Sequence, residues 1–247
     1  MKRVNFDRVA DEYDATRALP NDVMNKVIYA LCEEMSDGES VLDVGSGTGR
    51  FALPLIKRGF YVTGIDISKR MIEISKNKGF SCCVRGDASF LPFESGSFDF
   101  ALANHILHLL EDWKDALSEI GRVVRDSMMA VSIMKESGWF KVGYDELLKK
   151  YGCETGKPGI GVTDLLEKIE PKKVRDLASV TITQSSDVLL DRIEKRCYSS
   201  LWEIPEETHR RVVEEMREKY EGREIENSFD VVIYIWDVRD LDDVGSH

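Results

Sequence analysis

The sequence predicts an α/β fold, a doubly wound and mostly parallel sheet with helices on both faces. Three observations predict it. Short apolar runs alternate with amphipathic helical segments through the first half, the pattern of parallel strands joined by right-handed crossovers. A glycine-dense stretch, VLDVGSGTGR at residues 41–50, stands at the first strand-to-helix junction. The second half returns to strand composition only twice, at SVTITQS and FDVVIYIWDV, around long helical excursions.

Each element has a local reason. Val23, Val27, Ile28, Leu31 and Met35 recur at helical spacing, and SDGES ends that helix. VLDV is the first strand, and GRFALPLIKRG is a helix interrupted by Pro54. FYVTGID is the second strand, followed by a helix over SKRMIEISKNKG with Ser68 as its N-cap. FSCCVRGDA gives the third strand, and its thiols Cys82 and Cys83 are expected in the core. FDFALAN gives the fourth, EDWKDALSEIGRVVRD an amphipathic helix, and SMMAVSIM the fifth. The 247 residues then divide as one domain: a helical cover over 1–35, a core over 36–134, helical insertions over 135–178 and 185–226, and last strands over 179–184 and 227–238. The insertions bring Trp139, Phe140, Tyr144, Tyr198, Leu201 and Trp202, which suit either an apolar cover over a small molecule or the helices' own packing.

Composition narrows the function. A net charge of −11 and a pI near 5.0, with no concentrated basic segment, disfavour a nucleic-acid partner. The first residues, MKRVNFDRVADEYDATR, lack the apolar centre of a signal peptide, and no window approaches the ~20 apolar residues of a membrane span. Five cysteines without a C-x-x-C pair suggest neither a disulfide framework nor a metal site, so a reduced, cytoplasmic protein is expected.

A strand running into glycines that open a helix lets main chain approach a ligand with no Cβ in the way and offers unpaired N–H groups. Gly45, Gly47 and Gly49 are spaced G-x-G-x-G, and Arg50 stands where a dinucleotide fingerprint requires glycine or alanine. Asp43 precedes the loop. The stretch DVGSGTG resembles the first motif of the class I S-adenosylmethionine-dependent methyltransferases, specifically their small-molecule branch. The resemblance runs over about residues 5–135, through Asp66 at the end of VTGIDIS, GDA at 86–88, LPFESGSFDFALANHILHLLEDW, and FDRVADEYDATR at the N-terminus.

That resemblance implies a seven-stranded Rossmann-like sheet with an antiparallel last strand, and S-adenosylmethionine as methyl donor. It implies that Asp43, Gly45, Ser46, Gly47 and Gly49 form the loop at the donor's amino-acid end, where an acid suits the ammonium and backbone amides suit the carboxylate. Asp66 and Ile67 would meet the ribose, Met71 the adenine ring, and Asp87 and Ala88 the adenine amine. Asn104 would line the pocket and Tyr13 fold over the donor.

Methyl transfer from a sulfonium is an in-line displacement that needs alignment and exclusion of water, and a base only when the acceptor must lose a proton. No catalytic residue is therefore assigned. His105 is the candidate base, although pocket-shaping is the preferred reading for it and packing for His108. The tetrapeptide of amino-group DNA methylation is replaced by ANHI, and no Pro-Cys nucleophile occurs. The expected partner is a small-molecule acceptor, with nucleic acid disfavoured and no membrane or metal, in a monomer or homodimer. A methyltransferase acting on RNA or protein, and a catalytically silent donor-binding protein, are the alternatives.

Overall fold

The structure is a computed structural model and describes residues 5–135, 139–156 and 158–241, without the side chains of residue 135 and residues 139–142. Central strands form where the sequence is apolar without interruption. In β1 (Ser40–Val44) four consecutive residues are buried, as required of a parallel strand covered on both faces. It pairs in parallel with β2 (Tyr61–Asp66) and β4 (Phe98–Leu102); β2 pairs with the short β3 (Cys83–Arg85), and β4 with β5 (Val124–Lys135). With β6 (Lys173–Ser185) and an antiparallel β7 (Glu224–Asp237), the seven strands lie in the order β3-β2-β1-β4-β5-β7-β6. The predicted doubly wound sheet is present.

An amphipathic stripe seats each flanking helix. Helix α5 (Trp113–Val123) buries Ala116, Leu117, Ile120 and Val123 fully, and helix α2 (Asn21–Cys32) buries Val23, Val27 and Leu31. Helix α3 (Ala52–Ile56) carries Pro54 in its first turn, where a missing N–H costs no helical bond, so the proline does not break it. Ser68 caps helix α4 (Lys69–Asn77) as expected, its hydroxyl accepting the Met71 amide. The N-terminal stretch differs from expectation: Phe6–Glu12 is a 3₁₀ helix, followed by a single α-helical segment, α1 (Tyr13–Arg17).

Two compact units emerge. Residues 1–132, 158–177 and 232–247 make the first, and residues 133–157 and 178–231 the second. The second has its own core of Tyr144, Leu148, Leu190, Ile193, Val212, Met216 and Tyr220 from α6 (Trp139–Lys150), α8 (Ser186–Glu194) and α9 (Glu206–Tyr220). Of the aromatic and apolar side chains noted in the insertions, Tyr144 and Leu201 belong to this core, and Tyr198 packs on it. The Trp202 indole donates to the Arg196 carbonyl at 2.7 Å. The side chains of Trp139 and Phe140 lie outside those described.

Two expectations need correction. Strand β6 begins at Lys173, not at residue 179, so the mainly helical stretch expected through 178 ends earlier, after α7 (Val162–Leu166). Its first residues looked unlike a strand because they are charged. Lys173 pairs with Glu34, and Arg175 with Glu33, Glu34 and the Ala30 carbonyl, so these cations are held against α2. Cys83 is buried as expected, but Cys82 is exposed, since β3 starts only after it.

Phe80, fully buried, carries the loop end of the first unit. A Cβ on Gly64 would come within 2.6 Å of the Ser46 hydroxyl and 2.7 Å of the Phe80 ring. Gly64→Ala is expected to destabilise the protein by about 1–3 kcal/mol in urea unfolding, with an unchanged midpoint counting against this packing.

Candidate active site

The glycine loop leaves β1 and turns back on β2. The amides of Gly45 and Ser46 both donate to the Ile65 carbonyl, at 2.8 and 3.1 Å. All three glycines have left-handed φ values of 54–80°, but each faces different surroundings. A Cβ on Gly45 would strike Ile106 at 2.9 Å, and one on Gly49 would press on Phe80 at 3.1 Å. At Gly47 the nearest atoms are 3.9 Å away, one of them Cε1 of Tyr13, so this residue opens onto a cleft.

Asp66, at the end of β2, fixes that loop. Its Oδ2 accepts the Gly47 amide at 2.8 Å and its Oδ1 the Ser68 amide at 2.8 Å. Burial raises its carboxyl above the ordinary range, and these amide bonds oppose the rise. The tie continues outward, because the Ser68 hydroxyl donates to Asp7 at 2.5 Å and the Arg70 amide donates to the same oxygen at 3.0 Å. Burial alone would raise the Asp7 carboxyl, but those two bonds hold it below its ordinary value. Asp14 accepts from the Thr48 hydroxyl and the Lys78 ammonium, and Asp11 pairs with Arg70. The N-terminal segment is thereby fastened beside the loop, with the Phe6 and Tyr13 rings edge to face at 5.8 Å.

The cleft is lined by Phe6, Tyr13, Gly45, Gly47, Ile65, Asp66, Ile67, Met71, Gly86, Asp87, Ala88, Asn104, His105, Ile106, Leu109 and Leu110. Asn104 is only 8% exposed, and its Oδ1 accepts the Val131 amide at 2.7 Å. That bond assigns the amide's orientation and leaves Nδ2 without a partner. Asp43 is 2% exposed, with Oδ2 likewise unpartnered. Burial, helped by the charge of Asp66, pushes its carboxyl up to about 7.

Residues 42–130 match the model of a methyltransferase domain. An uncharacterized protein of Methanocaldococcus jannaschii is 27% identical over 77% of this chain and 89% of its own length. Demethylmenaquinone methyltransferase of Staphylococcus aureus is 39% identical over 52% of this chain, and the match spans 57% of that enzyme. The crystal structure of the YcgJ protein of Bacillus subtilis shares the fold at a TM-score of 0.57 and 16% identity, over 88% of this chain and 99% of that one. Residues 42–130 carry a methyltransferase domain.

The structure brings Tyr13, Gly45, Gly47, Asp66, Ile67, Met71, Asp87, Ala88, Asn104 and His105 to one cleft. Asp43, Ser46 and Gly49, read from the sequence with them, do not line it. Ser46 instead meets the Cys83 thiol at 3.3 Å, Gly49 packs on Phe80, and Asp43 is sealed within β1. His105 reaches the cleft with a left-handed φ of 56°, a strained setting for a non-glycine residue. His108 is not a lining residue; its carbonyl accepts the Gly159 amide. Sequence reading missed Phe6, Ile65, Gly86, Ile106, Leu109 and Leu110. All six lie inside stretches that carry the resemblance, Gly86 in GDA and Ile65 in VTGIDIS beside assigned residues, whereas the other four are apolar residues with no distinguishing spacing.

The buried Asp43 sets a pH dependence. Its folded value lies above its unfolded one, so from about pH 4 to pH 7 the folded chain holds a proton that the unfolded chain has released, and stability falls as pH rises through that window. Asp43→Asn is expected to flatten this decline, with urea midpoints above wild type at pH 8 and near wild type at pH 4. Parallel profiles would exclude Asp43 as the source.

Proposed function

We propose that the chain binds S-adenosylmethionine in this cleft and transfers its methyl group to a small organic acceptor. The observation that carries the reading is the distribution of buried side-chain atoms without partners. Among the described residues they belong to Asp43, Arg50, Ser89 and Asn104, each in or beside a segment that forms the cleft. Buried polar groups are ordinarily paired; Asn104 lines the cleft with its amide nitrogen unmet, and Asp43, Arg50 and Ser89 each lie within three positions along the chain of a lining residue, an arrangement that fits a polar ligand.

The groups suit that donor. Asp66 and Asp87 stand along the cleft for hydroxyls and an amine, the unmet Asn104 Nδ2 for an acceptor atom, and Met71, Ile65 and Ile67 supply an apolar wall for a purine. Gly47 leaves open the space through which main chain reaches the ligand. When bound, the sulfonium supplies an already activated methyl. The protein's own work is then to orient the acceptor, exclude water and, where the acceptor must lose a proton, take it up. Phe6, Ile106, Leu109 and Leu110 provide the apolar surroundings, and His105 supplies an imidazole to the lining as the candidate proton acceptor. The names of the demethylmenaquinone methyltransferases support a small-molecule acceptor, as does the net charge of −11.

Isothermal titration with S-adenosylhomocysteine tests the reading. Wild type is expected to bind, Gly47→Val to lose binding because its branched side chain fills the open space, and Asp66→Ala to bind more weakly by about 1–3 kcal/mol. Wild-type affinity in both variants would place the donor elsewhere.

A further inference from the structure

We propose that Arg50 holds a carboxylate group of the bound ligands through the Nε–Nη2 edge of its guanidinium. The inference rests on the donor reading above and adds to it a residue, an atom pair and a ligand group. Arg50 is the last residue of the glycine stretch, immediately after Gly49. Its Nε and Nη2 are both buried, and neither meets a hydrogen-bond partner. These two nitrogens form one edge of the planar guanidinium, with N–H groups side by side at the spacing of two carboxylate oxygens. A fork of that shape, closed off from water and unfilled, is complementary to a carboxylate or a phosphate, and of these two groups the donor carries a carboxylate.

The chain does not fill the fork itself. Asp14, whose charge acts on Arg50, gives one oxygen to the Thr48 hydroxyl and the other to the Lys78 ammonium. Asp66 gives both of its oxygens to backbone amides. Phe51 contacts the guanidinium through its ring face, with the carbon 5.2 Å from the centroid, which steadies the group without satisfying its N–H edge. Arg50 and Arg17 both act on the Tyr13 phenol, which lines the cleft, and Arg17 lies 5.7 Å from that ring's centroid. Two guanidiniums therefore converge on one cleft residue in a chain that is strongly acidic overall. Asp43, with its own unmet oxygen, calls for the opposite charge.

A carboxylate at Arg50 has two sources, the amino-acid end of the donor or an acidic acceptor, and titrations of the full chain distinguish them. Wild type, Arg50→Met and Arg50→Lys are each titrated with S-adenosylhomocysteine and with its decarboxylated analogue. Thermal shifts are then recorded with benzoate, phenylacetate and succinate, both on the protein alone and in the presence of the decarboxylated analogue. If the donor supplies the group, Arg50→Met weakens S-adenosylhomocysteine binding by about ten- to a hundredfold. Arg50→Lys, a charge without a fork, then falls between, and the decarboxylated analogue binds all three proteins alike. If an acceptor supplies it, S-adenosylhomocysteine binds all three alike, and at least one carboxylate stabilises wild type but not Arg50→Met. Equal behaviour of wild type and Arg50→Met toward every probe overturns the proposal, as does equal weakening of S-adenosylhomocysteine and its decarboxylated analogue, which marks a structural role. A wild type that binds neither nucleoside overturns the donor reading instead, and the carboxylate shifts on the protein alone then decide Arg50.

Discussion

Asp66 accepts the Gly47 amide on one oxygen and the Ser68 amide on the other, and the placement of the glycine loop against α4 follows from that pair. The loop cannot set its own shape. Gly45, Gly47 and Gly49 all lie in a left-handed region that glycine samples freely, so the unconstrained chain loses much entropy in adopting it. A buried carboxylate with two amide donors offsets that loss at one point and fixes two segments together. Ser68 passes the constraint on, because the residue whose amide meets Asp66 also caps α4 and donates its hydroxyl to Asp7. The N-terminal segment, too short and too irregular to hold position by helical cooperativity, is registered on the sheet through this relay.

Charge is arranged unevenly around the cleft. Asp66 ends β2 and Asp87 follows β3, so two carboxylates line the cleft, while Asp43 is buried within β1 one residue before its end. Asp43 and Asp66 repel one another in a buried setting, which is why burial and this neighbour together lift Asp43 so far. Arg17 and Arg50 act on Tyr13 at the N-terminal segment. A ligand carrying both signs relieves both groups at once, whereas a simple anion or cation relieves one and leaves the other buried and unmet.

How much of this was legible in the sequence depends on whether a residue's role is local. Ser68 as a cap, Asp66 at a strand end and Met71 on the first turn after it follow from spacing within one strand–turn–helix unit, and the structure puts all three where that unit requires. The apolar periodicity of α5 likewise fixed its buried face. Leu109 and Leu110 were not legible: they follow the fourth strand through a 3₁₀ turn at Leu107–Leu109, and an apolar residue there reads the same whether it faces a cleft or a core. The start of β6 was hidden because Lys173 and Arg175 look like loop residues until their partners just past the end of α2, more than a hundred positions earlier, are known. The glycines were legible as a group, but their separate neighbours, Ile106, Phe80 and open space, arise only in three dimensions.

The unmet polar atoms connect stability to the site. Asn104 gives its oxygen to the Val131 amide on the neighbouring strand, so the sheet itself turns the amide nitrogen away from any partner in the chain. Asp43 is carried inside a strand that is buried on both faces, where its carboxylate cannot reach water. Both residues are thus held in unfavourable states by central strands of the sheet, and relaxing either would mean disturbing those strands. Each unmet group costs folding free energy on the order of 1–3 kcal/mol, which the core must supply. A ligand that meets them binds only the folded chain and so returns part of that cost as stability in proportion to its occupancy. A site preorganised this way gains affinity without having to order loops at the moment of binding, consistent with polar groups fixed at strand tips and the adaptable apolar residues left to the turns around them.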